Sequence, residues 1–314
     1  MDIKTEKYQQ KSDGENLSPI VLFTYKKLVP LKLTIQALKS NTLASKSELF
    51  IFSDGGKNKN DEIEIDLVRD FLKQIEGFKK ITITTSDENK GLAKSIIEGV
   101  SSIFESYDSV IVLEDDLVTS SNFLDFMNGA LQYYKEDPNI HSISGFTAPI
   151  TKPSSYDYAN YFTKRASSWG WATWKDRWET VDWEVRDYPS FKEDIRQQRA
   201  FNRMGSDLTG MLAKQMNGAI SSWAIRWCYD QFKKNQFTVF PVVSKITNIG
   251  FGENATHTKG SDNRFATPLD TSGETNFTFH PKPELDTRFI KQFIEPYSLK
   301  TRALYKIRNL LGIR

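Results

Sequence analysis

Residues 110–119 read VIVLEDDLVT, and the reading of this stretch decides the fold. Residues 109–113 form an apolar run of strand length, rich in Val and Ile. The run passes directly into Glu114, Asp115 and Asp116. Adjacent carboxylates repel one another, and beside a core they need a cation or hydrogen-bond donors. In an α/β sheet the carboxyl end of a strand is where ligands bind. Hard oxygen ligands at that place suit Mg2+ or Mn2+, which commonly bridge to substrate phosphates. Taken alone, three acids are equally well read as a solvated acidic turn.

The sequence around the stretch repeats one pattern. Strand-like runs occur at 19–24, 48–52, 80–85 and 109–113, with helical candidates at 31–41, 61–78 and 92–106. Strand and helix alternate about every 30 residues, which predicts a mainly parallel, doubly wound α/β sheet flanked by helices. Active residues are expected at the strands' carboxyl ends. Those ends carry Thr24-Tyr25-Lys26, Ser53-Asp54-Gly55-Gly56 and the turn with Asn89, Lys90 and Gly91. Neither GxxxxGK[ST] nor GxGxxG occurs, so a nucleotide would be held without a P-loop or a dinucleotide fingerprint. A helix at 122–136 and a strand at 141–146 follow the acids.

Composition narrows the function. The 314 residues, 39% hydrophobic, suffice for one large domain or two interlocked ones. A net charge of +2 gives no global attraction to nucleic acid. One cysteine, Cys228, excludes a disulfide framework and fits a reducing compartment, and three histidines leave too few ligands for a structural zinc site. The first 18 residues are polar, without a signal-peptide core, and no run approaches the ~20 apolar residues of a bilayer span. A cytoplasmic protein with a disordered start is expected.

Beyond residue 146 tryptophan takes over. Residues 167–183, SSWGWATWKDRWETVDW, hold five of the seven tryptophans, and Trp223 and Trp227 hold the rest. Tryptophan stripes usually pack, yet carbohydrate sites favour aromatic platforms, and Gly170 between Trp169 and Trp171 indicates close approach by the backbone. Trp171 is therefore a candidate donor contact. Residues 247–259, TNIGFGENATHTK, read as a polar loop or lid. Within it His257 is either a second metal or diphosphate contact or a plain surface residue.

These landmarks, in this order, resemble the GT-A glycosyltransferases, most specifically N-acetylglucosaminyltransferase I and its relatives, bacterial members of family 2 type included. FTYKKLV, FSDGG, NKGLAKSIIEGV, VIVLEDDLVTSSNFLDFM, KEDPNIHSISGF, SSWGWATW, SSWAIRW and GFGENATHT carry the resemblance over about three quarters of the chain. It implies a GT-A fold that binds a UDP-sugar donor with Mn2+ or Mg2+. Asp116 resembles the direct metal ligand, while Asp115 and Glu114 resemble contacts to ribose and donor-sugar hydroxyls. Asp54 resembles the acid that reads the uracil edge. Lys26 stands where the family has a basic residue near the nucleotide, and Lys94 resembles a diphosphate or ribose neighbour. Thr24, Asn89 and Gly91 belong to the same strand-end donor set. The GFGENATHT run resembles the loop that folds over the diphosphate.

An inverting transferase needs a base to take the acceptor's proton. In the family that base is an acid before a tryptophan at the start of a late helix, and the matching position here is Ser221. A serine hydroxyl is no base near neutral pH without an activating partner. Asp207, Asp230 and Glu253 are the alternatives.

Residues 298–314 contain five basic residues, no acid, and Leu299, Ala303, Ile307, Leu310 and Leu311 at helical spacing. Such a helix either lies on an anionic membrane or docks its apolar face on the domain. The expected organisation is a disordered start at 1–18, a nucleotide-sugar half at 19–146, an acceptor half of the same domain at 147–280, and a tail at 281–314. The expected function is sugar transfer, N-acetylglucosamine first, to a bacterial surface polysaccharide or lipid-linked glycan. An NDP-sugar-forming nucleotidyltransferase shares the sheet and acids, but it usually opens with a glycine-bearing loop that FTYKKLVP lacks. A non-catalytic nucleotide-sugar-binding protein is the third reading.

Overall fold

The computed structural model describes residues 17–250 and 264–311. It is a mixed α/β fold around an eight-stranded sheet flanked by helices, with strand order β3-β2-β1-β4-β8-β6-β9-β7. The strands are β1 (Ile20–Thr24), β2 (Glu48–Ser53), β3 (Lys80–Thr85), β4 (Ser109–Glu114), β6 (Ile140–Ser144), β7 (Asn160–Thr163), β8 (Trp171–Trp174) and β9 (Phe237–Pro241). Two short strands, β5 (Leu117–Thr119) and β10 (Ile246–Asn248), pair antiparallel outside it. β1 lies between β2 and β4, parallel to both. Every residue of IVLFT is buried, as a strand covered on both faces requires. β3, at the sheet edge, is mostly exposed.

The first three strands alternate with α1 (Leu28–Lys39), α2 (Lys59–Leu72) and α3 (Leu92–Ile103). The expected strands and helices are present with shifted ends. α2 begins at Lys59 because Asn58 caps it, accepting from the Asn60 and Asp61 amides, with Asp61 and Glu62 at the positive end of the helix dipole. It ends at Leu72, short of the expected 78, and the chain then turns through Gly77 at φ 94° into β3. α4 (Phe123–Tyr133) is buried over most of its length and packs Phe126 edge-on to Phe277.

The sheet does not stop at residue 146. β8 inserts antiparallel between β4 and β6, with Trp171 opposite both Val112 and Ser144. One polar–apolar period could not announce this, because the insertion depends on a strand some thirty residues downstream. The second layer of helices comprises α5 (Lys175–Trp178), α6 (Tyr188–Glu193), α7 (Ile195–Phe201), α8 (Leu208–Met216) and α9 (Trp223–Lys233), followed by α10 (Thr287–Phe293) and α11 (Leu299–Leu311).

Trp171 is a packing residue and not a donor platform. Its ring is buried and meets Trp178 at 5.5 Å, Trp223 at 4.9 Å and Trp227 at 4.4 Å between centroids. The β8 register turns this side chain onto the helical layer. Trp171→Ala is expected to cost about 3–5 kcal/mol of unfolding free energy through lost burial and the cavity left behind. Denaturant unfolding checks this, and a variant as stable as the parent would contradict the core assignment.

Candidate functional site

The carboxyl ends of β1, β2 and β4 lie side by side, because β1 pairs with both neighbours in parallel register. β4 carries its last residue, Glu114, to this edge, and the chain then turns at Asp115 and Asp116 into β5. Asp115 is fixed in place. Its Oδ2 accepts from the Thr24 hydroxyl at 2.8 Å and from the Tyr25 amide at 3.1 Å, and its carbonyl accepts from the Thr34 hydroxyl at 3.0 Å. Thr24 is thus a support for an acid and sits under the site.

The three acids are electrostatically strained. Burial, then the charges of Asp116 and Asp115, push the Glu114 carboxyl up to about 8. Burial, then Asp116, push Asp115 up to about 6 against its two hydrogen-bond donors. Lys27 opposes both shifts and is the nearby cation that the cluster feels. Sequence reasoning assigned Lys26 instead. Lys26 Nζ pairs with Asp61 at 2.5 Å and Glu64 at 3.1 Å on α2, which raises it to about 12. The lysine whose charge acts on Glu114 and Asp115 is Lys27. β1 ends at Thr24 and the chain bends at Lys26 before Lys27 leads into α1, so the two lysines leave the strand end in different directions.

Asp54 builds a loop. Its Oδ1 accepts from the Gly55 and Lys90 amides at 3.0 and 2.9 Å. Its Oδ2 accepts from the Gly91 amide at 2.9 Å and from Asn89 Nδ2 at 3.1 Å. With two donors on each oxygen, the carboxylate is committed to holding 89–91 at the mouth of β2, and reading a base edge would require displacing one of them. Asn89 Nδ2 also donates to the Gly55 carbonyl at 2.8 Å. Gly55 has to be glycine, since a Cβ there would sit 2.5 Å from the Glu88 carbonyl carbon. Gly91, at φ 74°, starts α3. Arg69, unremarked in the sequence, ties the strand ends together by donating Nη2 to the Ser86 carbonyl at 2.6 Å. Lys94 is exposed on α3, 3.6 Å from Glu98, which Lys90 also contacts at 2.8 Å.

The small sheet completes this edge. β10 pairs with β5, the Ile249 amide donates to the Asp116 carbonyl at 2.9 Å, and Gly250 follows directly. A Cβ at Gly250 would overlap Asp116 Oδ2. The chain therefore approaches the last acid as closely as a glycine permits. His257 and Glu253 fall in 251–263, outside the described residues.

The candidate bases are placed differently. Ser221 is exposed just ahead of α9, and Ser222 caps that helix by accepting from the Ile225 amide at 3.4 Å. This helix end faces the carboxyl edge of the sheet, because Trp223 packs on Trp171, which is level with the upper ends of β4 and β6. Asp207 makes a bidentate pair with Arg165, 2.8 Å on each arm. Burial raises its carboxyl, but Arg165 more than offsets this and leaves it below the ordinary range, so it is a poor proton acceptor. Asp230 is buried near the opposite end of α9, 2.7 Å from Lys234 and 3.4 Å from His141. Asp230 thus lies away from the edge where the other candidates gather, and Asp207 is committed to Arg165. An acid that the sequence reading passed over lies nearer the start of α9. Glu184 interacts with Arg226, whose Nη1 donates to the Trp183 carbonyl at 2.9 Å and whose Nε donates to the Ser222 carbonyl at 3.2 Å. The next residue, Val185, holds φ 51°, a conformation that β-branched residues avoid and that surrounding structure must impose.

The donor set bears on metal binding. Among the described residues no three His, Cys, Asp or Glu side chains form a ready cage for an ion. Asp116, beside the held Asp115 and next to Glu114, suits Mg2+ or Mn2+, which keep waters and take the rest of their ligands from phosphate oxygens. The residues fit such an ion shared with a diphosphate, and do not fit a closed structural site.

No protein-family model matches the chain. No curated protein matches it in sequence. Among solved structures it is similar to a mannosyltransferase from Pyrobaculum calidifontis in complex with GDP-Man and Mn2+, at TM-score 0.37 and 11% identity over 54% of this chain and 48% of that one. It is also similar to residues 1–349 of S. aureus TarS, at TM-score 0.39 and 7% identity over 74% of this chain and 60% of that one. The chain spans about half the length of the first and three fifths of the second. At these scores neither likeness assigns a role to a residue.

Gly250→Ala tests the closure around Asp116. The variant is expected to keep its fold, with a melting temperature within a few degrees of the parent, and to weaken Mn2+-dependent nucleotide binding by roughly 10-fold or more, because the methyl displaces the carboxylate. Calorimetric titration with UDP and Mn2+ reads it, and unchanged affinity would show that Gly250 does not constrain Asp116.

Proposed function

We propose that the chain is a divalent-metal-dependent, inverting glycosyltransferase of GT-A type that uses a UDP-sugar. UDP-N-acetylglucosamine is the first donor to try, and a bacterial surface polysaccharide or lipid-linked glycan is the acceptor class. The observation that carries this reading is the convergence at one sheet edge of a held Asp115, an Asp116 closely approached by Gly250, and a loop that Asp54 organises. The donor's identity rests on the resemblance of the strand-end motifs described above.

In this reading Asp116 holds the ion, which when bound neutralises charge on the departing diphosphate. Asp115 and Glu114 stand beside it for ribose and sugar hydroxyls. Their raised proton affinity marks how much a cation or hydroxyl donors would relieve the cluster. Lys27 supplies a fixed positive charge at the same edge, the role given in the sequence to Lys26. Lys94 and the first turn of α3 are open to a phosphate, and half-buried Trp169, edge-on to Phe146 at 4.6 Å, replaces Trp171 as the aromatic at the mouth. For the base, Glu184 is preferred over Ser221, Asp207 and Asp230, because it is an exposed carboxylate interacting with the first turn of α9.

A second reading, a nucleotide-sugar-binding protein without transferase activity, is favoured by one observation. Ser221 stands where an acid is expected, and two of the alternatives are locked in ion pairs. Pyrophosphate release from a nucleoside triphosphate and a sugar phosphate would instead mark a nucleotidyltransferase.

Asp116→Ala should abolish Mn2+-dependent UDP binding, since it removes the ion's protein ligand, and Asp116→Asn should do nearly as much. Calorimetry showing parental affinity in Asp116→Ala would remove the metal assignment.

Glu184→Gln should lower donor turnover by roughly 10²–10⁴-fold and leave UDP-sugar affinity unchanged. Sugar release or transfer is followed alongside calorimetry. Parental turnover in this variant excludes Glu184. If the parent is inactive and Ser221→Asp gains activity, the binding-protein reading stands.

A further inference from the structure

α11 turns its apolar stripe outward. At 100° per residue Leu299, Ala303 and Ile307 fall within about 80° of arc, and Leu304 lies about 60° further round the same side. Leu299 is 71% exposed, Leu304 50% and Ile307 53%, and Ala303 is exposed as well. The opposite side meets the domain. Thr301 is buried and donates to Glu295 at 2.6 Å, and Arg302 donates to the Ser206 hydroxyl at 2.9 Å. The docked-helix expectation is thereby reversed: a hydroxyl and a guanidinium face the protein, while leucine and isoleucine face away.

The charges complete the pattern. Lys300 and Lys306 are both exposed; in the helical projection Lys306 borders the stripe beside Leu299, and Lys300 projects within it between Ile307 and Leu304. Residues 298–314 hold five bases and no acid, which leaves the rest of the chain net acidic. Exposed leucines flanked by lysines suit an anionic lipid surface. The apolar side chains enter the acyl boundary, and the lysine stems lie along it with their ammonium groups at the phosphates. No helix among the described residues is long and apolar enough to cross a membrane, so α11 would lie on the surface.

We propose that α11 seats the protein on an anionic lipid surface through Leu299, Ala303, Leu304 and Ile307, with Lys306 at the border of this face and Lys300 within it. The seat is independent of the transferase reading, because lipid binding is measured without donor or metal.

The full chain is sedimented with vesicles of neutral phosphatidylcholine, or of phosphatidylcholine with one quarter phosphatidylglycerol, at low and high salt. Binding is expected to the anionic vesicles only, weakening sharply as salt shortens the Debye length. Leu304→Glu/Ile307→Glu should lose the binding with an unchanged melting curve, because both side chains are already exposed. Lys300→Glu/Lys306→Glu should weaken it by roughly a hundredfold or more. Ile63→Glu, which alters an isoleucine 65% exposed on α2, should bind as the parent. Absence of sedimentation at low salt would overturn the proposal, as would parental binding in the Leu304→Glu/Ile307→Glu variant. A concentration-dependent dimer that this variant abolishes would assign the stripe to a second copy and overturn it equally.

Discussion

Three carboxylates at the end of one buried strand are the constraint on which the site depends. Left to themselves they repel, and burial makes each charge more costly. The fold answers in three places. Asp115 is neutralised in part by a hydroxyl and an amide from β1. Lys27 lends its charge from the start of α1. At Asp116, Gly250 lets the chain leaving β10 pass close against the carboxylate. Glu114 has no comparable donor and is pushed furthest toward the protonated form.

The support for that cluster is laid out in concentric fashion. Parallel pairing of β1 with β2 and β4 sets the three strand ends level. Asp54 then folds the next loop over β2 with four donors on its two oxygens, and Arg69 fastens the ends of β2 and β3 from α2. Behind the sheet, Trp171, Trp178, Trp223 and Trp227 make a rigid packed layer that holds the amino end of α9 at the same edge. Buried aromatic packing of this kind resists displacement, which suits a surface that has to present side chains at fixed positions.

Several residues change role when seen in place. Asp54, given a nucleotide role by resemblance, holds the 89–91 loop, and Thr24, read from its place at a strand end, donates to Asp115. Asp207 and Asp230 are structural ion pairs, one gripping Arg165 and the other lying between Lys234 and His141. The tail helix shows the reverse. Its charge pattern left two orientations open, and the exposed face is the apolar one.

Periodicity and composition alone determined the alternation of strand and helix through residue 113, the placing of acids at a strand's carboxyl end, and the basic amphipathic character of the tail. These are legible because hydrophobic period, caps and turn residues act over a few neighbours. Tertiary structure decided the rest. Which of Lys26 and Lys27 faces the acids depends on the direction of the chain leaving β1. Whether Trp171 packs or is presented depends on β8 pairing with β4 and β6. Gly250 meets Asp116 only because β10 returns to β5 from more than a hundred residues away. Contacts of that range are set by the packing of the whole sheet, and no local pattern in the chain encodes them.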